Sequence, residues 1–286
     1  MALPICKEYF TITALQDNTD VYADIIISLQ GYTGPSYTIE ASVNNGEFVE
    51  HLITRAQNDY SYNRLICTLN NGDNVRLRAV MPWDWSYSGI HYIVKNLLIA
   101  PSKLAKISGN LLSLVAGTGY LNSNLLSSNY ISFPFVFNSN IFDARNVWFP
   151  YLSDVTQNKH WSNAASYYLN YYNTSYNYND GRFSHMFAYN SYMLAGPNSI
   201  NENVDYYAYS FLFKNCHNIF DSPICPATTL AEGCYLRMFE GCDKLVNGVN
   251  LMGTTLAEGC YTNMYKGCSN LQNPGSLNAN TLARDC

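Results

Sequence analysis

The fold is decided by a tandem repeat. Residues 228–253 read TTLAEGCYLRMFEGCDKLVNGVNLMG, and residues 254–279 read TTLAEGCYTNMYKGCSNLQNPGSLNA, so the two units are identical at 14 of 26 positions without a gap. Weaker copies reach back to about residue 181, and a stretch from Ser132 has the spacing of a divergent first copy. An aromatic side chain recurs at one place in four copies: Phe187, Phe213, Phe239 and Tyr265. A unit this small cannot bury its own apolar side, so the repeat predicts a solenoid of stacked coils.

Each unit follows one pattern of apolar spacing. Apolar side chains recur at intervals of three and four residues, which is typical of a short helix. Thr228 and Thr254 stand where a helix N-cap is preferred, and Glu232 and Glu258 follow in the first turn. Asn, Gly and Pro then break the helix and allow a short extended segment, so we expect strand, turn and helix in each unit. The expected core side chains are Leu230, Cys234, Phe239, Cys242, Leu245, Leu256, Cys260, Tyr265, Cys268 and Leu271.

The units TTLAEGCYLRMFEGCDKL and TTLAEGCYTNMYKGCSNL resemble the leucine-rich repeats of the BspA type, found in surface proteins of gut and oral bacteria and in proteins of their phages. The strong match covers about residues 204–286, and a weaker match reaches back to about residue 130. The resemblance implies a right-handed solenoid with a short parallel sheet, used for adhesion and for recognition of proteins or glycans, without catalytic residues. Asn190 and Ala208 depart from the pattern because they occupy Cys columns.

The front of the chain shows a different pattern. Apolar and polar residues alternate between residues 8 and 118, and Asn-Gly pairs at 45–46 and 71–72 are typical of tight hairpins. This predicts an antiparallel sandwich of roughly seven strands. The expected fold class is therefore mixed α/β. An N-terminal antiparallel β-sandwich over residues 1–120 is followed over residues 121–286 by a leucine-rich-repeat solenoid with 26-residue units.

Two aromatic segments are candidates for contact with a partner. Residues 151–180 form an insertion rich in Tyr, Asn and Ser, which is either a tolerated surface insertion or a binding surface of the composition that antibody loops use. Residues 81–92, MPWDWSYSGIHY, either contact glycans or pack in the interior or at a domain interface. The candidate contact residues are Trp83, Asp84, Trp85, Tyr87, Tyr167, Tyr168, Tyr171, Tyr172, Tyr176 and Tyr178.

Composition and motifs exclude several classes of function. A net charge of −5 and a charged fraction of 13% exclude a basic nucleic-acid binder, and the apolar runs are too short for membrane insertion. Repeat cysteines stand eight residues apart within a unit, unlike the close pairs of a zinc site, which favours buried structural thiols over disulfides or a metal. Phosphate-loop, nucleophile and paired-carboxylate motifs are missing. We expect a protein that is not an enzyme and has no cofactor.

These features favour a non-enzymatic recognition or structural protein that binds a cell-surface protein or glycan, or other virion subunits. The N-terminal sequence MALPICKEYF lacks the features of a secretory signal, so a phage tail-fibre or receptor-binding component is preferred to a BspA-type cell-surface adhesin. A carbohydrate-binding module is a further alternative. A homo-oligomer is in keeping with a fibre. The last unit stops at Cys286, before its expected helix, which favours a fragment of a longer protein over capping by another subunit.

Overall fold

The structure is a computed structural model that describes residues 7–26, 37–53, 64–80, 96–111, 113–116, 135–137, 139–149 and 183–286. Within these residues the chain forms ten strands and one single-turn helix. The elements are β1 (Phe10–Ala14), β2 (Thr19–Ile26), β3 (Tyr37–Val43), β4 (Val49–Ile53), β5 (Arg64–Leu69), β6 (Asn74–Ala79), β7 (Asn96–Pro101), β8 (Ala105–Asn110), α1 (Ser113–Ala116), β9 (Phe135–Phe137) and β10 (Ile141–Trp148).

The strands form two sheets. One has the order β10-β8-β1-β6-β3-β4, and the other has the order β5-β2-β7-β9. Strand pairs are antiparallel, except that β10 pairs with β8 and β9 pairs with β7 in parallel. Alternate side chains of β1 are fully buried, among them Phe10 and Ile12, because successive strand residues face opposite sides of a sheet. Buried side chains of both sheets belong to one apolar core, which is the arrangement of a β-sandwich.

Asparagines close the hairpin between β3 and β4. Asn44 and Asn45 both have positive φ, 48° and 61°, and the Gly46 N–H donates to the Val43 carbonyl at 2.8 Å. This is the geometry of the type I′ turn, whose twist matches that of the flanking strands. The Asn-Asn-Gly segment therefore reverses the chain between β3 and β4, and the ladder that follows, in which Ala41 lies opposite Val49, is offset by one residue from the pairing of Val43 with Gly46.

Strand β10 connects the sheets to the repeat coils. It pairs with β8 on one side, and on the other the Leu194 N–H donates to the Phe142 carbonyl at 2.9 Å. The Ala144 N–H likewise donates to the Ala195 carbonyl at 3.0 Å, and Ala195 in turn bridges Asp221 in the next coil. The larger sheet thus continues directly into the parallel contacts between coils.

The repeat coils contain no α-helix, so the mixed α/β fold class is wrong. In the described part of the chain the only helix is the single turn Ser113–Ala116. Residues 205–216 form consecutive turns in which even-numbered N–H groups donate to the carbonyl three residues earlier. Odd-numbered N–H groups donate to the carbonyl 25 residues later, in the next coil. The strand, turn and helix plan of a leucine-rich repeat is therefore wrong for these units.

A four-residue rhythm of positive φ explains why a helix does not form. Within each coil φ is positive at every fourth residue, and this breaks the backbone repeat that an α-helix requires. The positive-φ positions with this spacing are His185, Tyr189, Tyr207, Phe211, Asn215, Gly233, Arg237, Gly241, Gly259, Asn263 and Gly267. The predicted N-caps at Thr228 and Thr254 are also wrong, because no helix follows either residue in the described coils, and the Thr228 carbonyl accepts the Thr254 N–H of the next coil at 2.8 Å.

Equivalent side chains of successive coils stack in rows. Phe187, Phe213, Phe239 and Tyr265 follow one another with ring centroids 5.4 to 5.7 Å apart. Phe137 of β9 extends this row, since its ring stacks on Phe187 at 5.4 Å. A second row holds Phe183, Tyr209, Tyr235 and Tyr261. Stacking at a 26-residue period therefore buries the aromatic side chains that a single unit would leave exposed.

Candidate binding surface of the repeat coils

The candidate binding surface lies on the turn runs 205–216, 231–242 and 257–268, which we call the turn face. Neighbouring runs are tied together by the hydrogen bonds between coils, for example from the Gly233 N–H to the Glu258 carbonyl at 3.0 Å. Because about every second N–H bonds to the next coil, the backbone of this face is held in place. Side chains on the turn face are thereby presented in rows.

A groove of about 490 Å³ opens in the turn face. It is lined by equivalent positions of neighbouring coils, together with the end of the chain at Asp285 and Cys286. The lining residues used below are Tyr207, Glu232, Gly233, Arg237, Glu258 and Gly259.

The end of the groove at Gly233 is filled by the side chain of Tyr207. The Tyr207 ring lies directly on Gly233, so closely that a Cβ on Gly233 would overlap the ring. The Tyr207 hydroxyl donates to Glu232 Oε1 at 3.0 Å. Two features favour glycine at position 233: the positive φ of 59° and the lack of room for a side chain beneath the Tyr207 ring.

In the following coil the equivalent position, Gly259, is not covered by a ring of the described residues. A Cβ on Gly259 would meet only Thr262 Oγ1, at 3.5 Å, among atoms within contact distance. The carboxylate of Glu258 is more than half exposed and lies 3.6 Å from the Arg284 guanidinium. The open part of the groove therefore has a backbone floor at Gly259 and a solvated carboxylate at its rim.

Behind the groove lies a cluster of charged side chains. The Glu240 carboxylate lies 3.5 Å from both Lys214 Nζ and Arg237 Nη1. Lys214 is only 5% exposed, and its ammonium lies 5.2 Å from the centre of the Phe211 ring. The His185 ring also stacks on the Phe211 ring, with the two ring centroids 4.6 Å apart. Because a buried charge needs a partner, these contacts hold Arg237 in position at the groove wall.

Apart from Cys286, which lines the groove, the repeat cysteines lie in the interior. The thiols of Cys216, Cys242 and Cys268 donate to the carbonyls of Phe187, Phe213 and Phe239 at 3.0 to 3.1 Å. Burial raises the pKa of Cys216 to about 12 and the pKa of Cys268 to about 11. The eight cysteines in the described residues are all free thiols. Cys216, Cys242 and Cys268 act as small side chains packed in the core that also donate to a backbone carbonyl.

The ten residues predicted to contact a partner lie outside the described residues. The ten predicted core residues lie inside them, and they are buried or half-buried. Leu230, Cys234, Phe239, Cys242, Leu245 and Cys260 are buried, whereas Leu256, Tyr265, Cys268 and Leu271 are half-buried. Within the described ranges, no group of His, Cys, Asp and Glu side chains is arranged to hold a metal ion.

The glutamates and glycines of the groove are not among the binding residues predicted from the sequence. Glu232 and Glu258 are carboxylates of a predicted helix first turn, and the glycines that follow them carry no assigned function. The signal that identifies them is the pair Glu-Gly, which precedes Cys234 and Cys260 identically in both units. A glycine kept at the same place in two units indicates a positive φ or a close approach of another group.

Comparison of the chain with protein-family models, with curated proteins and with solved structures gave no match. Across the residues that the structure describes, no helix has the length and apolar character needed to cross a bilayer.

Proposed function

We propose that this chain is a non-enzymatic recognition protein that binds a protein or glycan partner through the turn face of its repeat coils. The observation that carries the proposal is the groove between the coils at Gly233 and Gly259. It combines a concave shape, an exposed backbone floor and a few polar side chains, which is how binding sites obtain both contact area and orientation.

The stacked coils suit this role because they keep the groove preformed. The hydrogen bonds between coils and the aromatic rows hold both walls of the groove before any partner arrives. Binding to a preformed site avoids the entropy loss of ordering loops, so more of the contact energy contributes to affinity.

The setting that we propose is the surface of a bacterial cell or of a phage particle. It is supported by the resemblance of the units at residues 228–245 and 254–271 to BspA-type repeats, which occur in both settings. Recognition of a protein or glycan partner is the activity that such surface repeats share. A virion component and a cell-surface adhesin remain the two alternatives within this proposal.

The test is binding of the fluorescently labelled full chain to intact cells of the source bacterium, together with immunogold labelling of phage particles from the same culture. A matched pair of variants assigns any binding to the groove. Gly259→Asn places a side chain in the groove, and Asn tolerates positive φ, as Asn263 already shows at 53°. Gly267→Asn makes the same change at a φ of 77°, outside the groove.

The proposal predicts that the chain binds cells or is found on particles, and that Gly259→Asn reduces binding at least about tenfold while Gly267→Asn does not. Absence of the chain from both cells and particles would overturn it. Binding that Gly259→Asn leaves unchanged would overturn the assignment to the groove.

A further inference from the structure

We propose that the open part of the groove binds the phenol ring of a tyrosine side chain of the partner. This inference rests on the proposed recognition function and names the chemical group that anchors the partner.

The protein contains an occupied example of the site in the preceding coil. There the Tyr207 ring lies so close to Gly233 that it leaves no room for a Cβ, and its hydroxyl donates to Glu232 Oε1 at 3.0 Å. The site thus consists of a Glu-Gly pair, in which glycine supplies the floor and the carboxylate accepts a hydrogen bond from the phenol hydroxyl.

The next coil repeats the Glu-Gly pair without its ring. Residues 258 and 259 are again Glu and Gly, 26 positions after Glu232 and Gly233, and Gly259 has a φ of 64° against 59° for Gly233. The residue that would cover Gly259, by the equivalence with Tyr207, is Gly233, which has no side chain. The groove opens where that ring is missing.

The chemistry of the empty place therefore matches a phenol. A planar ring fills the space over Gly259, where a Cβ itself meets nothing closer than Thr262 Oγ1 at 3.5 Å. The Glu258 carboxylate lies beside it as an acceptor for a charged hydrogen bond, which is stronger than a neutral one. Arg237, held by Glu240, adds a guanidinium to the wall that favours an aromatic face.

A sugar ring is the competing ligand, since its hydroxyls also donate to carboxylates. The phenol is favoured because the occupied site holds an aromatic ring against glycine with the ring hydroxyl on the neighbouring carboxylate. The two ligands are separated directly by experiment.

The experiment is an NMR titration of the full chain, labelled with ¹⁵N, using three small probes. N-acetyl-tyrosinamide carries the phenol, N-acetyl-phenylalaninamide lacks only the hydroxyl, and methyl α-glucoside represents a sugar. We expect saturable shifts of the amides of residues 258–262 with the tyrosine probe. The phenylalanine probe is expected to bind about three- to tenfold more weakly, because the Glu258 carboxylate then has no donor from the ligand.

Variants test the two halves of the site separately. Glu258→Ala, which removes the acceptor, should reduce the affinity for the tyrosine probe to that for the phenylalanine probe, and Glu258→Gln, whose amide oxygen still accepts a neutral hydrogen bond, should give an intermediate affinity. Gly259→Asn should abolish saturable binding of both, whereas Gly267→Asn should leave it unchanged. Urea unfolding of the two glycine variants, expected to give similar midpoints, shows that loss of binding does not come from loss of folding.

Three results would overturn the inference: no saturable shift with the tyrosine probe at millimolar concentration, equal affinity for the tyrosine and phenylalanine probes, or binding of the glucoside alone. These failures are distinguishable from failure of the proposed function. If cell or particle binding still depends on Gly259 while the tyrosine probe does not bind, recognition stands and the phenol anchor is wrong. If the probe binds but the chain is found on neither surface, the proposed function is wrong.

Discussion

Asn190 occupies the row that holds Cys216, Cys242 and Cys268 in the later coils. Its side chain is fully buried, and within the described structure neither its amide nitrogen nor its oxygen has a hydrogen-bond partner. A buried polar group without a partner loses its hydration and destabilises the folded state by about 1–3 kcal/mol. The sequence showed this departure from the Cys column, but only the burial shows that it is unfavourable.

Asn190→Cys is therefore expected to raise the free energy of unfolding by about 1–2 kcal/mol, because a thiol is less costly to bury than an amide. Urea unfolding followed by circular dichroism measures the change. The reciprocal variant Cys242→Asn, in the same row, should destabilise the protein by a similar or larger amount. A lower stability of Asn190→Cys than of the wild type would show that the amide has a favourable interaction.

The buried thiols make stability depend on alkaline pH. Burial raises the pKa of Cys216 to about 12, whereas an exposed thiol has a pKa of about 8.5. The folded state holds the thiol proton more tightly than the unfolded state does. The contribution of the protonated thiol to the free energy of unfolding is therefore fully present below about pH 8.5 and is lost as the pH rises towards 12. The loss is up to about 1.4 kcal/mol per pH unit for each such thiol.

Thermal unfolding between pH 8 and pH 11 should thus show a falling midpoint, and Cys216→Ala should make the fall shallower. The two proteins are compared by the slope of the midpoint against pH and not by the midpoint itself, because the alanine substitution also changes packing. Equal slopes for wild type and Cys216→Ala would mean that the Cys216 thiol titrates alike in the folded and unfolded chain.

At the scale of elements, the turn run replaced the predicted helix. Apolar residues at intervals of three and four fit both a 3.6-residue helical period and a run of turns with a four-residue period. Over the dozen residues of a run the two periods diverge by only about a third of a turn, so the apolar spacing alone does not distinguish them. Gly233 and Gly241, eight residues apart, are the local sign of the turn run, because both have positive φ.

Two glycines of the last repeat separate backbone conformation from packing between coils. Gly275 and Gly267 have similar positive φ, 87° and 77°. A Cβ on Gly275 would overlap the Val249 carbonyl of the preceding coil, whereas a Cβ on Gly267 would lie 3.6 Å from Gly241. Alanine at either position incurs about 1–2 kcal/mol for the left-handed backbone, and overlap with a neighbouring coil adds about 1–3 kcal/mol.

Gly275→Ala should therefore destabilise the protein more than Gly267→Ala, by at least about 1 kcal/mol in urea unfolding. Both variants lie in the same unit and carry the same substitution, so each serves as the other's control. Equal losses in the free energy of unfolding would show that the coils separate easily at Val249, which would contradict the close stacking of the coils.

At the scale of the whole molecule, the sheets and the coils share one core. Phe10 of β1 stacks on Phe137 at 5.5 Å, and Phe137 stacks on Phe187 of the first coil at 5.4 Å. Buried residues from Phe10 to Met264 belong to the same apolar cluster. Strand β10 adds backbone bonds to both parts, so unfolding of one part exposes the packed surface of the other.

Wild-type protein is accordingly expected to unfold in a single calorimetric transition, in which sheets and coils melt together. Phe137→Ala, at the junction, should destabilise it by about 3–5 kcal/mol and broaden or split the transition. Phe220→Ala, whose ring is half exposed and outside the aromatic row, should change stability by no more than about 0.5 kcal/mol. Two transitions in the wild type would contradict a shared core.

The amino-acid sequence by itself determined the 26-residue period, the rows of equivalent aromatic and Cys side chains, and the alternation that produces strands such as β1 and β6. These follow from residue identity at fixed spacing, which any stacked arrangement must respect. Only the tertiary structure decided the conformation of each coil, because half of its N–H groups find their acceptor 25 residues away rather than within a helix. It also decided the groove, since the space over Gly259 depends on which side chain the neighbouring coil places there.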